Sequence, residues 1–452
     1  MMKLRSRLAV CCAHLTFAAI RMLKRGSGSV FPGYVARKID PGILSVLSGM
    51  IREKVIVVTG TNGKTTTNSM IRQALKAEGR KVVSNERGAN LLDGVVTAFV
   101  TSAGLAGRLD ADYACIEVDE LSCVRVFSDL KPDCIVCTNL FRDQLDRAGE
   151  LYIVRDRLMA AFLEAPEAKL VVNGDDACSY ALFSRCANQV VTFGIDEKLA
   201  EDLPVGVGEM VFCPFCGHRL EYALRQYGQL GRYRCPACGF ARQAPDKTVT
   251  DIRVLDGSYS YVLDGMRMTP SSRAPYNVYN TLAAYTALCA VQAPRENFSR
   301  VIGGFDYSNR RERRFTINGA RVELHLAKNP VGLQQKLFLI SKDSGPKGVV
   351  IQIDDTKLDG EDVSWLWDVD YRYLAEAGAE PVIAVGGRRD DMELCLKYDG
   401  IRCISRDNIR KAVERLALQG SRSIYVITNY SGLYAANQIL GELQLAWKGD
   451  SL

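Results

Sequence analysis

Histidine is scarce: His14, His218 and His325 are the only three in 452 residues, which leaves few bases to activate a cysteine nucleophile. No apolar run reaches the roughly eighteen residues that crossing a bilayer requires. The strongest, residues 8–20, is flanked by Arg5, Arg7, Arg21, Lys24 and Arg25, and a basic run follows where a signal peptide would need small residues for cleavage. It reads as a helix with basic ends, either packed on the body or resting on an anionic membrane surface. A marked charge imbalance is missing too. The 58 Lys and Arg against 52 Asp and Glu leave +6, too little for an electrostatic footprint on DNA. Repeats and low-complexity tracts are absent, and 38 Gly and 14 Pro are ordinary levels, so disorder and fibre are excluded.

What is present is a globular chain, 47% hydrophobic, long enough for about three domains at roughly 150 residues each. Its fifteen cysteines are an odd number, set in apolar runs or CxxC pairs, which fits a reducing cytoplasm better than a disulfide framework. From residue 54 short β-branched runs alternate with helical stretches, the pattern of a parallel α/β sheet. Strands are expected at 54–59, 81–84, 112–118, 133–138, 169–172 and 189–193. The pattern breaks near 201–210, and a Cys-rich, hairpin-like insert follows before a strand-like stretch at 248–263 and a helix at 278–290. After a charge-dense junction at 309–314, a second series has strands at 321–326, 348–353, 381–385 and 423–428, with helices at 392–397 and 407–418. The expected division is a helical extension 1–40, a central domain 41–308 with the insert at about 205–245, and a Rossmann-like α/β domain 309–452.

The first strand runs directly into Gly60-Thr61-Asn62-Gly63-Lys64-Thr65-Thr66 and then a helix. Two glycines let several backbone N–H groups turn toward one anion, and the helix adds the positive end of its dipole. Lys64 is placed for β/γ-phosphates and the Thr65 hydroxyl for Mg²⁺. Position 58 is Val, so the match is to a short G-x-x-G-K-T form. Glu117, Asp119 and Glu120 follow the third strand, and Asn139, Asp143 and Asp146 the fourth, at the sheet edge where such folds bind ligands. Glu117, with Thr65, is a candidate Mg²⁺ ligand and, with Lys64, a candidate catalytic group. Solvated loop acids are the alternative for any one of these carboxylates.

Cys213-Pro-Phe-Cys216-Gly and Cys235-Pro-Ala-Cys238-Gly are near-identical knuckles in a C-x₂-C-x₁₈-C-x₂-C frame. Four thiolates at this spacing close a tetrahedral Zn²⁺ site, which leaves no open position and is therefore structural. Cys134 and Cys137 also spell CxxC, but inside a strand their side chains point to opposite faces, as core residues do.

The phosphate loop, the Glu117 region, Thr138-Asn139 with Asp143-Gln144-Leu145-Asp146, and Tyr276-Asn277-Val278-Tyr279-Asn280 fall in the order found in Mur ligases, which the chain resembles over about residues 40–440. The resemblance implies a P-loop Mur-ligase central domain with an inserted zinc ribbon, and an α/β C-terminal domain. It also implies ATP-dependent phosphorylation of a carboxylate, displacement by an amine, and contact of Asn277 and Asn280 with the adenine. The chain departs from the family pattern in three ways. Gln144 and Tyr276 stand where histidines are usual, only about fifty residues precede the loop in place of a UDP-binding domain, and the ribbon interrupts the central domain. With the stretches 326–330 and 362–368, these departures are similar to the branch that amidates the D-glutamate α-carboxylate of the lipid II stem peptide. That resemblance implies a substrate at the inner membrane face and a GatD-like glutamine amidotransferase partner in a heterodimer. The lack of any convincing Cys–His pair in this chain points separately to an outside glutaminase.

In that branch an aspartate after the second strand of the C-terminal domain is implied to help the partner's Cys–His pair. Asp362 is the first candidate and Asp368 and Asp355 the next, with helix capping as the alternative role of Asp362. Arg311, Arg313 and Arg314 are placed either to close on the phosphates or to form a solvated linker. Two competing functions stand beside this one: a single-chain amino-acid ligase of folylpolyglutamate type, and a nucleotide-dependent nucleic-acid module using Arg219, Arg225, Arg232 and Arg234 with Tyr222, Tyr227 and Tyr233. The small net charge argues against nucleic acid as a partner.

Overall fold

The structure is a computed structural model that describes residues 2–23, 26–85, 88–143, 151–201, 203, 210–255, 257–307, 312–356, 359–406 and 408–449. Its first sheet holds β1 (Lys54–Thr59), β2 (Val82–Ser84), β3 (Tyr113–Glu117), β4 (Cys134–Cys137), β5 (Lys169–Asn173) and β6 (Val190–Phe193) in the order β2-β3-β1-β4-β5-β6, with every pairing parallel. Apolar residues on both sides of each strand are what such a sheet needs, because helices cover both faces. Along β1, Val55 and Val57 enter one core with Val95, Val96 and Phe99 of the helix Leu92–Ser102. Ile56 and Val58 enter the other with Met70, Ile71 and Leu75 of the helix Lys64–Ala77. Cys134 and Cys137 divide between these two cores in the same way.

The N-terminal helix Leu4–Met22 packs on the first of these layers through buried Ala9, Val10 and Ala13, and His14 Nε2 lies 2.8 Å from Ala103 O. Of its two expected placements, packing on the body is therefore observed, with the opposite face left exposed. Among the described residues no helix is long and apolar enough to cross a membrane.

The ribbon pairs β7 (Glu221–Arg225) with β8 (Gly231–Arg234), antiparallel. The strand-like stretch at 248–263 forms two strands, β9 (Val249–Leu255) and β10 (Ser258–Leu263), joined in an antiparallel sheet with β11 (Met266–Met268). Gly257, at φ +78°, supplies the left-handed residue of the turn between them, at an Asp-Gly pair in the sequence.

The second sheet has the order β12-β13-β17-β14-β15-β16, built from β12 (Glu312–Ile317), β13 (Ala320–Leu326), β14 (Lys347–Gln352), β15 (Ala379–Val385), β16 (Cys403–Ser405) and β17 (Ser423–Thr428). It is parallel except for the β12–β13 hairpin. Part of the charged junction is thus an edge strand: Phe315 and Ile317 turn inward while Arg313 and Arg314 stay exposed. Arg311 lies outside the described residues.

Candidate nucleotide site and zinc ribbon

β1 lies between β3 and β4, so the chain leaves it toward one side of the sheet and later returns to the other. The crevice above its carboxyl end is the topological switch point where open parallel sheets bind ligands. The glycine loop sits there with Gly60 at φ +113° and Gly63 at φ +87°. A Cβ on Gly60 would meet Thr138 Oγ1 at 2.4 Å, and one on Gly63 would meet Asn280 Oδ1 at 2.1 Å, so both positions need glycine for conformation and for space. Hydrogen bonds tie the loop to the β4 exit. Thr61 N donates to Asn139 O at 2.8 Å, Asn62 N to Asn139 Oδ1 at 2.9 Å, and Phe141 N to Thr61 Oγ1 at 2.9 Å.

Lys64 is buried, and its Nζ donates to Gly60 O, to Thr61 O at 3.2 Å and to Glu120 Oε2 at 3.2 Å. Burial works against its charge, yet Glu120, Asp119, Glu117 and Asp143 outweigh that and hold the ammonium above its usual value. Burial, reinforced by Asp119, raises Glu120 against the pull of Lys64. Thr65 Oγ1 donates to Glu117 Oε2 at 2.7 Å, and Asn90 Nδ2 to Glu117 Oε1 at 3.1 Å. The two expected Mg²⁺ ligands thus meet as neighbouring hard oxygen donors, a fit to Mg²⁺ that takes its remaining ligands from phosphates and water. Gln144 and Asp146 lie outside the described residues.

Thr66, Asn277 and Asn280 line a cleft of about 960 Å³, open mouth included, together with Asn62, Tyr276 and Lys336. Asn280 Nδ2 donates to Asn277 Oδ1 at 2.8 Å, and Asn277 Nδ2 to Ser272 Oγ at 2.8 Å. Lys336 Nζ donates to the Tyr276 hydroxyl at 2.7 Å. The far wall comes from the loop after β13: Asn329 Nδ2 donates to Asn62 Oδ1 at 3.1 Å, and Lys328 pairs with Asp143.

Asp362 borders a smaller hollow beside Arg142, Lys328 and Asp368. Its Oδ1 accepts from Ser364 N at 2.8 Å, a local turn before the short helix Ser364–Asp368, whose N-cap is Val363, and its hydrogen bonds to Ser364 hold the carboxyl below the usual range. Asp368 is paired with Arg142 at 2.8 Å, while Asp355 lies away from this hollow, 3.8 Å from Arg388. Arg313 and Arg314 face Glu323 and His325 in a separate cavity and not the phosphate loop. His325, 3.4 Å from Glu323 and stacked on Tyr425, is a buried strand residue.

In the ribbon the four cysteine sulfurs lie within 4.8 Å of one another, the only such cluster of three or more His, Cys, Asp or Glu ligands among the described residues. Cys213–Cys238 at 3.5 Å and Cys216–Cys235 at 3.4 Å are too long for disulfides and close to the edge of a Zn–S₄ tetrahedron, about 3.8 Å. The knuckles match in detail. Cys213 N donates to His218 O and Cys235 N to Phe240 O, with Gly217 and Gly239 at φ +71° and +78°. The donor set fits Zn²⁺.

One contributor was not expected from the sequence. The hairpin tip between β7 and β8 is buried, and its Tyr227 lines the cleft, edge-on to Tyr279 at 5.8 Å. Gln229 Nε2 donates to Leu140 O and to Asp176 Oδ1, both at 2.7 Å. The readable signal is the uncharged run Gln226–Leu230, set between charged strands.

The chain matches the Mur ligase middle domain over residues 58–229 and the MurT ligase C-terminal domain over 326–433. Among solved structures, a pseudomurein peptide ligase type C from Methanothermus fervidus superposes with a TM-score of 0.69 at 21% identity, covering 87% of this chain and 79% of that one. MurF from Acinetobacter baumannii gives 0.66 at 15%, covering 91% and 80%. These likenesses show the fold. The MurT subunit of lipid II isoglutaminyl synthase (glutamine-hydrolyzing) from Streptococcus pneumoniae is 30% identical over 94% of each chain. Its counterpart from Staphylococcus aureus is 31% identical over 95% of this chain and 96% of its own. With the loop, the cleft and the fold in place, that kinship over nearly the whole length decides the matter: the chain belongs to the MurT family of Mur ligases.

Proposed function

We propose that this chain is the ligase subunit of a lipid II isoglutaminyl synthase, with residues 41–308 binding ATP and residues 309–452 closing over it. The observation that carries the reading is the phosphate loop at the switch point with Lys64 buried beneath it, in a chain that aligns with MurT subunits over 94% and 95% of its length.

In the proposed reaction the γ-phosphoryl group passes from ATP to an oxygen of the D-glutamate α-carboxylate, and ADP leaves. Ammonia then attacks the carbonyl carbon of the acyl phosphate, the carbon–oxygen bond to phosphate breaks, and D-isoglutamine remains. Loop N–H groups and Lys64 orient and neutralise the phosphates, which is most of what phosphoryl transfer asks of a protein. Thr65 and Glu117 would hold Mg²⁺, which supplies charge neutralisation at the phosphate oxygens. Asn277, Asn280 and Tyr276 offer a polar, flat-walled cleft suited to a purine. Cys213, Cys216, Cys235 and Cys238 would hold Zn²⁺, which would keep the ribbon folded and, with all four positions taken by protein, would take no part in the chemistry.

The nitrogen comes from a separate glutaminase subunit of GatD type. His14 is engaged by Ala103 O, His218 stands in a knuckle, and His325 rests against Glu323, so a thiol-activating base is not evident at any of them. Asp362, beside Arg142 and Lys328, is the residue proposed to reach the partner's Cys–His pair. The substrate is lipid-linked, which places the complex on the cytoplasmic side of the inner membrane face.

The test is reconstitution with the glutaminase partner on lipid II, with ATP, Mg²⁺ and glutamine, following by mass spectrometry the exchange of hydroxyl for amide. ATP-dependent turnover with a free amino acid and no partner would instead establish the single-chain ligase.

A further inference from the structure

We infer that the outward face of the helix Leu4–Met22 is a docking surface for a lipid bilayer that carries anionic headgroups. At about 100° per residue, Leu4, Leu8, Leu15 and Met22 fall within one narrow stripe, and Ser6, Ala9, Val10 and Ala13 fall opposite. The second set is the buried face. The first is exposed, at 83%, 54%, 71% and 80% respectively. Single exposed leucines are normal on a protein surface, but four large apolar side chains in register along one helix form a continuous strip.

Charge identifies what the strip meets. The first 39 residues hold eight Lys or Arg and no Asp or Glu, against 50 basic and 52 acidic residues in the remainder. The positive charge of the whole chain is therefore concentrated here. Lys3, Arg5, Arg7 and Arg21 are exposed beside the strip, where long basic side chains can lie along apolar surface and put their charge at headgroup level. The next helix, Phe31–Ile39, adds exposed Phe31 and Tyr34, stacked at 5.9 Å, with Lys38 5.6 Å over the Tyr34 ring. An aromatic pair with a cation suits the water–lipid boundary.

The helix is too short and too charged at its ends to span, and its 19 residues, about 28 Å long, are suited to lying in the interface plane. A second copy of the chain fits poorly, since a self-complementary contact would set two acid-free cationic segments face to face. The inference deepens the proposed reaction on a lipid-linked substrate, while its evidence is separate from the nucleotide site.

The test is flotation of the full chain, with its partner subunit, on vesicles of neutral phosphatidylcholine and of phosphatidylcholine mixed with phosphatidylglycerol. The expected result is binding to the anionic vesicles alone, weakened by salt, and lost in Leu8→Glu/Leu15→Glu. In Lys3→Gln/Arg7→Gln it falls by about fivefold per charge removed. Leu418→Glu, at an exposed leucine elsewhere, should bind as the parent does. Equal binding to both vesicle types, binding retained by the double glutamate variant, or no vesicle binding by the parent would each overturn the inference. Amidation of detergent-solubilised lipid II is read in parallel: it should survive in Leu8→Glu/Leu15→Glu. Its loss in the parent protein would count against the proposed reaction and leave the vesicle result to stand by itself.

Discussion

Lys64 Nζ and the Glu120 carboxylate form an ion pair at 3.2 Å with both side chains buried under the phosphate loop. Two charges taken out of water are tolerable only together, so removing one strands the other. Lys64→Ala is expected to lower amidation by about three orders of magnitude. It should also lower stability by about 3 kcal/mol, since Glu120 is left without its cation. Lys64→Met/Glu120→Gln, which removes both charges, should recover most of that stability and none of the turnover. Urea unfolding beside a turnover assay separates the two effects, and a double variant as unstable as Lys64→Ala would contradict the pairing.

Asp362 offers a division of labour that can be read directly. Asp362→Asn keeps the size of the side chain and a carbonyl oxygen able to accept from Ser364 N, so the fold should be unchanged. Amidation driven by glutamine is expected to fall by at least about tenfold, while amidation driven by added ammonium salts stays at the parent rate. Equal loss with both nitrogen sources would remove Asp362 from any role in glutamine use.

Gln229 joins the ribbon to the sheet through two hydrogen bonds to Leu140 O and Asp176 Oδ1. Leu140 adjoins Phe141, whose N–H bonds Thr61 of the phosphate loop. Gln229→Ala takes a donor from the buried Leu140 O and one of two from Asp176 Oδ1, at a cost of about 1–3 kcal/mol, and loosens the wall that carries Tyr227. The dissociation constant for ATP with Mg²⁺ should rise by roughly tenfold, an effect of about 1.4 kcal/mol, in titration calorimetry. An unchanged constant would show that the ribbon tip is only a neighbour of the nucleotide.

The ribbon should hold one Zn²⁺ per chain. Thiolates bind metal only when deprotonated, so acidification is expected to release it, and Cys235→Ser should give metal-free protein at neutral pH. Elemental analysis reads the first expectation. Limited proteolysis between residues 213 and 239 reads the second, with cleavage faster in the metal-free chain. Protein purified without a chelator but lacking zinc, with the ribbon still resistant, would show that the knuckles fold on hydrogen bonds alone.

The six strands of the first sheet, and β13, β14, β15 and β17 of the second, were legible because each is a short apolar run bounded by polar text, and β1 and β17 fall at their expected limits; the three-residue edge strand β16 was not. The phosphate loop and the two knuckles were legible because glycine, lysine and cysteine there have no cheaper structural use. β12 was hidden: Phe315 and Ile317 turn inward, but Arg313 on their face and Arg314 on the other are both exposed, so the strand opens as a charged run. Tyr227 was hidden for another reason, since nothing local says that the tip of an inserted hairpin returns to the cleft. Such a contact is set by tertiary packing, with Gly228 leaving room beside Phe141: a Cβ there would come within 3.0 Å of that ring.

Asn329 serves two masters. Its carbonyl oxygen accepts from Gly332 N at 2.8 Å and so starts the helix Pro330–Ser341, while its amide nitrogen reaches Asn62 in the glycine loop. The first turn of that helix and the anion-binding loop therefore share a single rigid amide plane. Swinging the second sheet outward must either break that tether or drag the loop with it, so the position of one sheet and the shape of the other's loop are set together.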